Sequence, residues 1–404
     1  MDTNPETRSA ETEPMPADTP APETEKAPAP EAASSEAPLP EEDTAAQEAP
    51  QPKKSFWKRF AVKKEAETGD APDAAGKPGF PERLVISPAP HIRTADTTRS
   101  LMIDVVIALL PAYLWGVYVF GLRALTLGIV SVASCVLFEA LFQLILRRPV
   151  TIGDGSAVVT GLLLAMNLPA TVPIWLPIVG AFFAIVIVKQ LFGGIGKNIM
   201  NPAMAARVFL FSWPEEMGTF AEYGLRLSGV GTADITAGAT PLVSLKAGVF
   251  PDVTLADMIL GKTGGCIGEV ASLLLIAGGA YLIIRGVITW HIPIAFVGTV
   301  ALVTLLFPRT DGSNVNFMLS EVFSGGLLLG AIFMATDYVT APVTPYGRLL
   351  YGVGCGLITV FIRYFGGYVE GVSFGILIMN LLVWYIDRFT MPVRFGGKQV
   401  EKKQ

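Results

Sequence analysis

The residues best suited to chemistry in this 404-residue chain are few and widely spaced. Asp234-Ile235-Thr236-Ala237-Gly238-Ala239-Thr240-Pro241-Leu242 stands first. Ala237, Gly238 and Ala239 leave the backbone unobstructed beside a hydroxyl, and Pro241 fixes the turn that presents it. An enzyme that transfers a nucleotide could reach Thr240 there; an exposed turn with an incidental threonine is the plain alternative. A second set is ionisable and lies in or beside apolar runs: Asp104, Glu139, Asp154, Lys189, Glu269, Asp337, Glu370 and Asp387. Charge inside a bilayer is costly, which makes Glu139, Asp104 and Glu370 ion-pathway candidates. Against that, Asp104, Glu269, Glu370 and Asp387 fall near expected helix ends, where water or a cap satisfies a carboxylate.

A third set offers amides and hydroxyls. Asn198, Asn201, Thr336 and Asp337 could grip a ligand edge or an ion. Close helix packing explains Gly155, Gly161, Gly193, Gly194, Gly196 and Gly326 as well as a site does. His91 and His291 have no partner histidine at ligand spacing and read as surface or helix-end residues. Cys135, Cys266 and Cys355 are far apart, without C-x-x-C spacing, and read as small buried residues. They offer no metal site and no disulfide framework.

Those residues are carried by an unusual material. The chain is 51% apolar and only 16% charged, where a soluble domain is nearer one quarter charged. Runs of roughly 17–25 apolar residues, each enough to cross a bilayer, recur along it. This excludes an ordinary cytosolic enzyme and predicts an all-α polytopic membrane protein, because helices satisfy their own backbone groups in lipid. Cutting the apolar runs at Gly, Pro, Asn and charge clusters gives ten candidate spans, near 102–121, 124–145, 156–170, 173–191, 199–213, 267–284, 288–307, 317–336, 347–364 and 371–387.

The net charge of −5 conceals two regimes. Residues 1–50 hold thirteen acids against Arg8 and Lys26 and are rich in Pro, Ala, Glu and Thr. Residues 1–52 therefore read as a disordered acidic tether, without the positive start and apolar core of a secretory signal. Residues 53–100 are a basic cytoplasmic segment in which Phe56, Trp57 and Phe60 interleave with lysines and Arg59, as on an anionic membrane surface. Then come a first five-helix repeat (101–213), an outer loop carrying Thr240 (214–265), a second five-helix repeat (266–387) and a basic cytoplasmic tail (388–404).

The halves echo each other. Thr160-Gly161-Leu162-Leu163-Leu164-Ala165-Met166-Asn167-Leu168-Pro169-Ala170-Thr171 matches Gly325-Gly326-Leu327-Leu328-Leu329-Gly330-Ala331-Ile332-Phe333-Met334-Ala335-Thr336 at six of twelve positions, and Phe192-Gly193-Gly194 matches Phe365-Gly366-Gly367. Two echoes in the same order argue for duplication. Five spans per copy is an odd number, so the repeat is inverted, and the short, interrupted third and eighth spans are where such folds build sites. With the amino terminus inside, cytoplasmic flanks hold Arg93, Arg99, Arg147, Arg148, Lys189, Lys197, Arg285, Arg348 and the basic tail, against Arg123, Arg309 and Arg363 outside. The asymmetry places both termini in the cytoplasm and Thr240 on the outer face.

The stretch from Asp234 to Thr240 resembles the flavin-attachment motif Asp-x-x-(Ser/Thr/Ala)-Gly-Ala-Thr. Further matches are Ser87-Pro88 to Arg99, Gly153-Asp154-Gly155-Ser156, Phe192 to Ala203, Met334-Ala335-Thr336-Asp337 to Pro345, and Phe365 to Val372. Together, over about residues 85–395, they resemble the D subunit of the Rnf complex, the ion-translocating ferredoxin:NAD oxidoreductase. Its homologue is the B subunit of the Na⁺-translocating NADH:quinone oxidoreductase.

The resemblance implies FMN joined through its phosphate to Thr240 by a dedicated flavin transferase, with Asp234, Gly238 and Ala239 completing the motif. It also implies a non-covalent riboflavin, for which Asn198, Asn201, Thr336 and Asp337 are candidates. The A, B, C, E and G subunits of the Rnf complex as partners, membrane lipid and a bacterial cytoplasmic (inner) membrane location follow; nucleic acid does not. Electron transfer between ferredoxin and NAD is then coupled to Na⁺ or H⁺ movement. The quinone-reducing sibling is the near alternative, and a flavin-free secondary transporter with inverted repeats is the distant one.

Overall fold

A computed structural model describes residues 96–221, 223, 237–238 and 240–392. The acidic tether, nearly all of the basic segment with His91, most of the basic tail, and Asp234 and Ala239 lie outside the described residues. The helices are α1 Thr98–Phe120, α2 Leu122–Ile145, α3 Ser156–Met166, α4 Trp175–Phe182, α5 Pro202–Leu210, α6 Pro214–Met217, α7 Pro241–Lys246, α8 Leu255–Leu260, α9 Ser272–Ile284, α10 His291–Leu306, α11 Asn314–Phe323, α12 Leu327–Leu329, α13 Pro345–Phe365 and α14 Val372–Thr390. Helix α4 runs on as a π-helix over Phe183–Gln190, and α12 as a π-helix over Gly330–Met334. Two-residue strands β1 (Phe220–Ala221) and β2 (Ala237–Gly238) pair antiparallel, so the segment 214–265 is not purely helical.

Each of the ten expected spans meets a helix, but only α1, α2, α13 and α14 among the described residues are long and apolar enough to cross a membrane unaided. The α11–α12 pair makes a fifth candidate if its 62° bend is counted within one span. The expected ten full spans thus become four or five long helices and several half-length ones. The residues responsible are the breakers: Asn167 and Pro169 stop α3, Pro202 delays α5, and Ser324, Gly325 and Gly326 split α11 from α12.

Local chemistry sets the other ends. Thr97 and Ser100 form a reciprocal capping box at the head of α1. Asn201 accepts from the N–H groups of Ala203 and Met204 ahead of Pro202, and Thr344 accepts from Gly347 ahead of Pro345. Gly121, at φ 82°, turns α1 straight into α2.

On α1, Ile103, Ile107, Leu110 and Leu114 are 44–52% exposed at helical spacing. Such a continuous apolar stripe belongs against lipid. Opposite it, Ala108, Leu109, Ala112, Tyr113, Gly116, Val119 and Phe120 are buried. Helix α2 packs on α3 and α4, α10 on α11 and α13, α13 on α14, and α4 with its π extension on α5, while α1 lies on α9 and α5 on α14. At the α2–α3 crossing a Cβ on Gly161 would meet Val132 Cα at 2.7 Å and Ser131 O at 3.0 Å. Only glycine allows that approach. Cys135, Cys266 and Cys355 are free and buried.

Candidate functional site

Thr240 is the N-cap residue of α7, in extended backbone, with Pro241 at the first helical position. The turn is the expected one, yet it is not exposed: Thr240 keeps 7% of its surface accessible. Its hydroxyl makes no capping hydrogen bond, which leaves its lone pairs uncommitted to the helix. Just upstream, Ala237 and Gly238 pair with Ala221 and Phe220. At the other end of α7, Lys246 Nζ donates to the carbonyls of Gly366 and Tyr368 at 2.6 and 2.7 Å. Burial and the nearby Arg309 charge hold the Lys246 ammonium below the ordinary lysine pKa.

The four polar candidates from separate stretches line one cavity of about 380 Å³, with Ser156, Lys189, Phe333 and the first turns of α1 on its walls. Its size and its mostly apolar lining suit a flat aromatic ligand with a polar edge. The four are not equally free. Asn201 spends its oxygen on the α5 cap and its Nδ2 on the Met334 carbonyl, 3.1 Å away. Thr336 donates back to the Ile332 carbonyl, and Asn198 donates to the Met200 carbonyl. Asp337 accepts from Thr340 at 3.2 Å, and burial pushes its carboxyl above the usual carboxylate range against the pull of Val339, Thr340 and Asn198.

The ionisable candidates are engaged rather than solvated. Glu139 is 1% exposed and receives Lys189 Nζ at 2.9 Å on each oxygen and Gln190 Nε2 at 2.7 Å; Lys189 also donates to Ser156 Oγ at 2.7 Å. Both donors are the last two residues of the π-helix, a distortion frequent at functional sites. Asp104 does not sit at a helix end: it lies in the second turn of α1, accepts from Tyr281 at 2.8 Å and pairs with Arg285 at 3.0 Å. Glu269 and Glu370, also read as helix-end residues, converge on the buried Arg207. Asp154 caps Ser156, and Asp387 accepts from Val343.

The cations at the breaks were the least legible. Arg123 and Arg363, counted as loop residues, are each 2% exposed. Arg123 donates to the carbonyls of Ala170, Thr171 and Val172, where the chain unwinds after α3. Arg363 donates to Glu321 Oε2 at 2.8 Å and to the carbonyls of Glu321 and Ser324, where α11 ends. Non-helical backbone at membrane depth must have its carbonyls satisfied, and a guanidinium supplies several donors at once. Sequence reasoning missed Arg207 in the fifth apolar run and Glu321 in the eighth; a charge inside an apolar run was the signal that could have found each of them, though nothing in the sequence pairs them.

Fold and sites together define a multi-helix membrane protein built to hold charge between broken helices. The chain belongs to the NQR2, RnfD, RnfE family, whose model matches residues 85–396. It is 46% identical over 324 residues to the D subunit of the Na⁺-translocating ferredoxin:NAD⁺ oxidoreductase complex of Acetobacterium woodii, covering 79% of this chain and 98% of the relative. It is 40% identical over 326 residues to the D subunit of the proton-translocating ferredoxin:NAD⁺ oxidoreductase complex of Clostridium ljungdahlii, covering 78% and 97%. With the D subunit of the ion-translocating oxidoreductase complex of Stutzerimonas stutzeri it shares 39% over 323 residues, covering 73% and 91%.

Proposed function

We propose that this chain is the D subunit of an Rnf complex, an ion-translocating ferredoxin:NAD⁺ oxidoreductase, and that it carries FMN as a phosphoester on Thr240. Relatives named for that complex match nearly their whole length. The observation that carries the flavin reading is the Thr240 hydroxyl, which makes no capping hydrogen bond at the head of α7 after Gly238. A bound flavin supplies one- and two-electron chemistry; the chain fixes where it sits. Because Thr240 is nearly buried, the transferase must meet this segment in a more open arrangement than the one described. Mass spectrometry of the subunit from its native complex should find one FMN adduct, on the peptide containing Thr240. An unmodified polypeptide there would refute the reading.

The cavity holding Asn198, Thr336 and Asp337 suits the non-covalent riboflavin, with Asp337 and Asn198 as edge partners and Asn201 as a support for the wall. The inverted repeat is supported by the packing: α1 lies on α9 and α5 on α14, each helix against its counterpart, as a pseudo-two-fold requires. Lys189 and Arg363, which precede the two Phe-Gly-Gly runs, are both buried and ion-paired.

Both termini are assigned to the cytoplasm of a bacterial inner membrane. Burial of Arg123 and Arg363 removes two of the three outer cations and of Lys189 one inner one, so the inner excess persists. A membrane-impermeant thiol reagent tests this, since the native cysteines are all buried. Asp252→Cys should label from outside in intact cells and Arg148→Cys only after permeabilisation; the opposite pattern inverts the topology.

A further inference from the structure

Where the two halves meet, Arg207 of α5, Asn167 at the end of α3, Cys266 and Glu269 ahead of α9, Gly326 at the α11–α12 break and Glu370 ahead of α14 close around one point. Arg207 Nη1 donates to Asn167 Oδ1 at 2.9 Å, and Nη2 bonds Glu370 Oε2. Glu370 Oε1 takes the Gly326 N–H, and Glu269 Oε2 takes the Cys266 N–H at 3.0 Å. Glu269 Oε1 stands 3.7 Å from Arg207 Nη2, beyond hydrogen-bond reach. The side chains of Arg207, Glu269 and Glu370 are only 4%, 10% and 12% exposed.

The charges do not balance. Two carboxylates share one guanidinium. The neighbouring Arg363 is matched by Glu321 at 2.8 Å, Cys266 brings a thiol, and Lys246 is directed at the carbonyls of Gly366 and Tyr368. An uncompensated charge in such surroundings is unstable, and two carboxylates in one site do not both stay ionised readily. A second sign of incompleteness is independent of the acids: Arg207 Nε is buried without a hydrogen-bond partner among the described residues. The site also lies on a helix break, where a Cβ on Gly326 would be 2.5 Å from Glu370 Oε1; glycine keeps that approach open.

We propose that Glu269 and Glu370 hold one exchangeable proton between them, with Arg207 as the fixed counter-charge, making this cluster a proton-binding station at the junction of the two halves. The proton resides on Glu269, whose carboxylate stands 3.7 Å from Arg207 Nη2 and is the more loosely held of the two, while Glu370 is bonded to the guanidinium directly. A metal cation fits less well: three of the four oxygens are already taken and a guanidinium faces the site. Release transfers the proton to water and leaves one negative charge in excess; uptake restores neutrality.

The station is independent of the flavin reading, since it uses no atom of Thr240. The test is infrared pH-difference spectroscopy of the intact complex in lipid nanodiscs, with ¹³C-carboxyl glutamate to identify the bands. The wild type should show a protonated glutamic acid carbonyl at neutral pH that is wholly lost in Glu269→Gln, a neutral isostere that keeps the packing. Glu370→Gln should abolish the same band, because Glu269 then ionises against Arg207. Thermal melting of each variant separates misfolding from titration, and Glu269→Gln alone decides the matter if Glu370→Gln does not fold. Absence of the band in the wild type, its survival in Glu269→Gln, or its loss on adding Na⁺ at constant pH would overturn the proposal.

Discussion

Thr240→Ala should abolish in-gel flavin fluorescence of the subunit co-expressed with a flavin transferase, while the wild-type band should stay fluorescent after denaturation. The expected change is all or none, because the phosphoester needs the hydroxyl oxygen and alanine has none. Removing the hydroxyl costs little stability: Thr240 makes no side-chain capping bond, so the usual penalty of about 1 kcal/mol for losing an N-cap does not arise. Serine at this position retains the nucleophile, and Thr240→Ser should keep some label. An Ala variant that still fluoresces would move the attachment elsewhere, and an unlabelled wild type would leave a transporter-like scaffold.

Lys189→Met should be strongly destabilising. It strands Glu139, 1% exposed, with only the amide of Gln190 and a long contact from Gln143. Removing one partner of a buried pair costs about 3–5 kcal/mol, mostly because the remaining charge is left without compensation. The melting temperature of the detergent-solubilised subunit should fall sharply, and the double variant Lys189→Met/Glu139→Gln should recover much of the loss, since it removes both charges. Equal melting of the single variant and wild type would mean that Glu139 is neutral in the folded protein and the pair is no counter-charge. Glu139→Gln alone keeps the shape and the Gln190 contact, so it should preserve flavin labelling.

The motif ending at Thr240, the broken third and eighth spans, and Glu139 as a buried carboxylate could all be read from the chain, because each is a local pattern of small residues, helix breakers or charge in apolar surroundings. Pairing could not. Arg207 meets Glu370 across 163 positions and Asp104 meets Arg285 across 181, and no spacing rule reaches that far. Glu269 and Glu370 do stand just ahead of α9 and α14, but they and Asp104 are each met by a distant arginine, which a helix-end position alone does not reveal. The four polar residues of the cavity were individually visible, but the sequence does not show that residues 198–201 and 336–337 meet on one wall.

Lys246 is fastened to the carbonyls of Gly366 and Tyr368, and a Cβ on Gly325 would lie 3.3 Å from Leu242 Cδ2. Helix α7 therefore rides on α11 and the approach to α14 rather than floating above the molecule. Anything attached at its head is geared to the carboxy-terminal half. If the halves rock against each other during turnover, that passenger swings with them, and its spacing to a neighbouring electron carrier changes in step with the stroke.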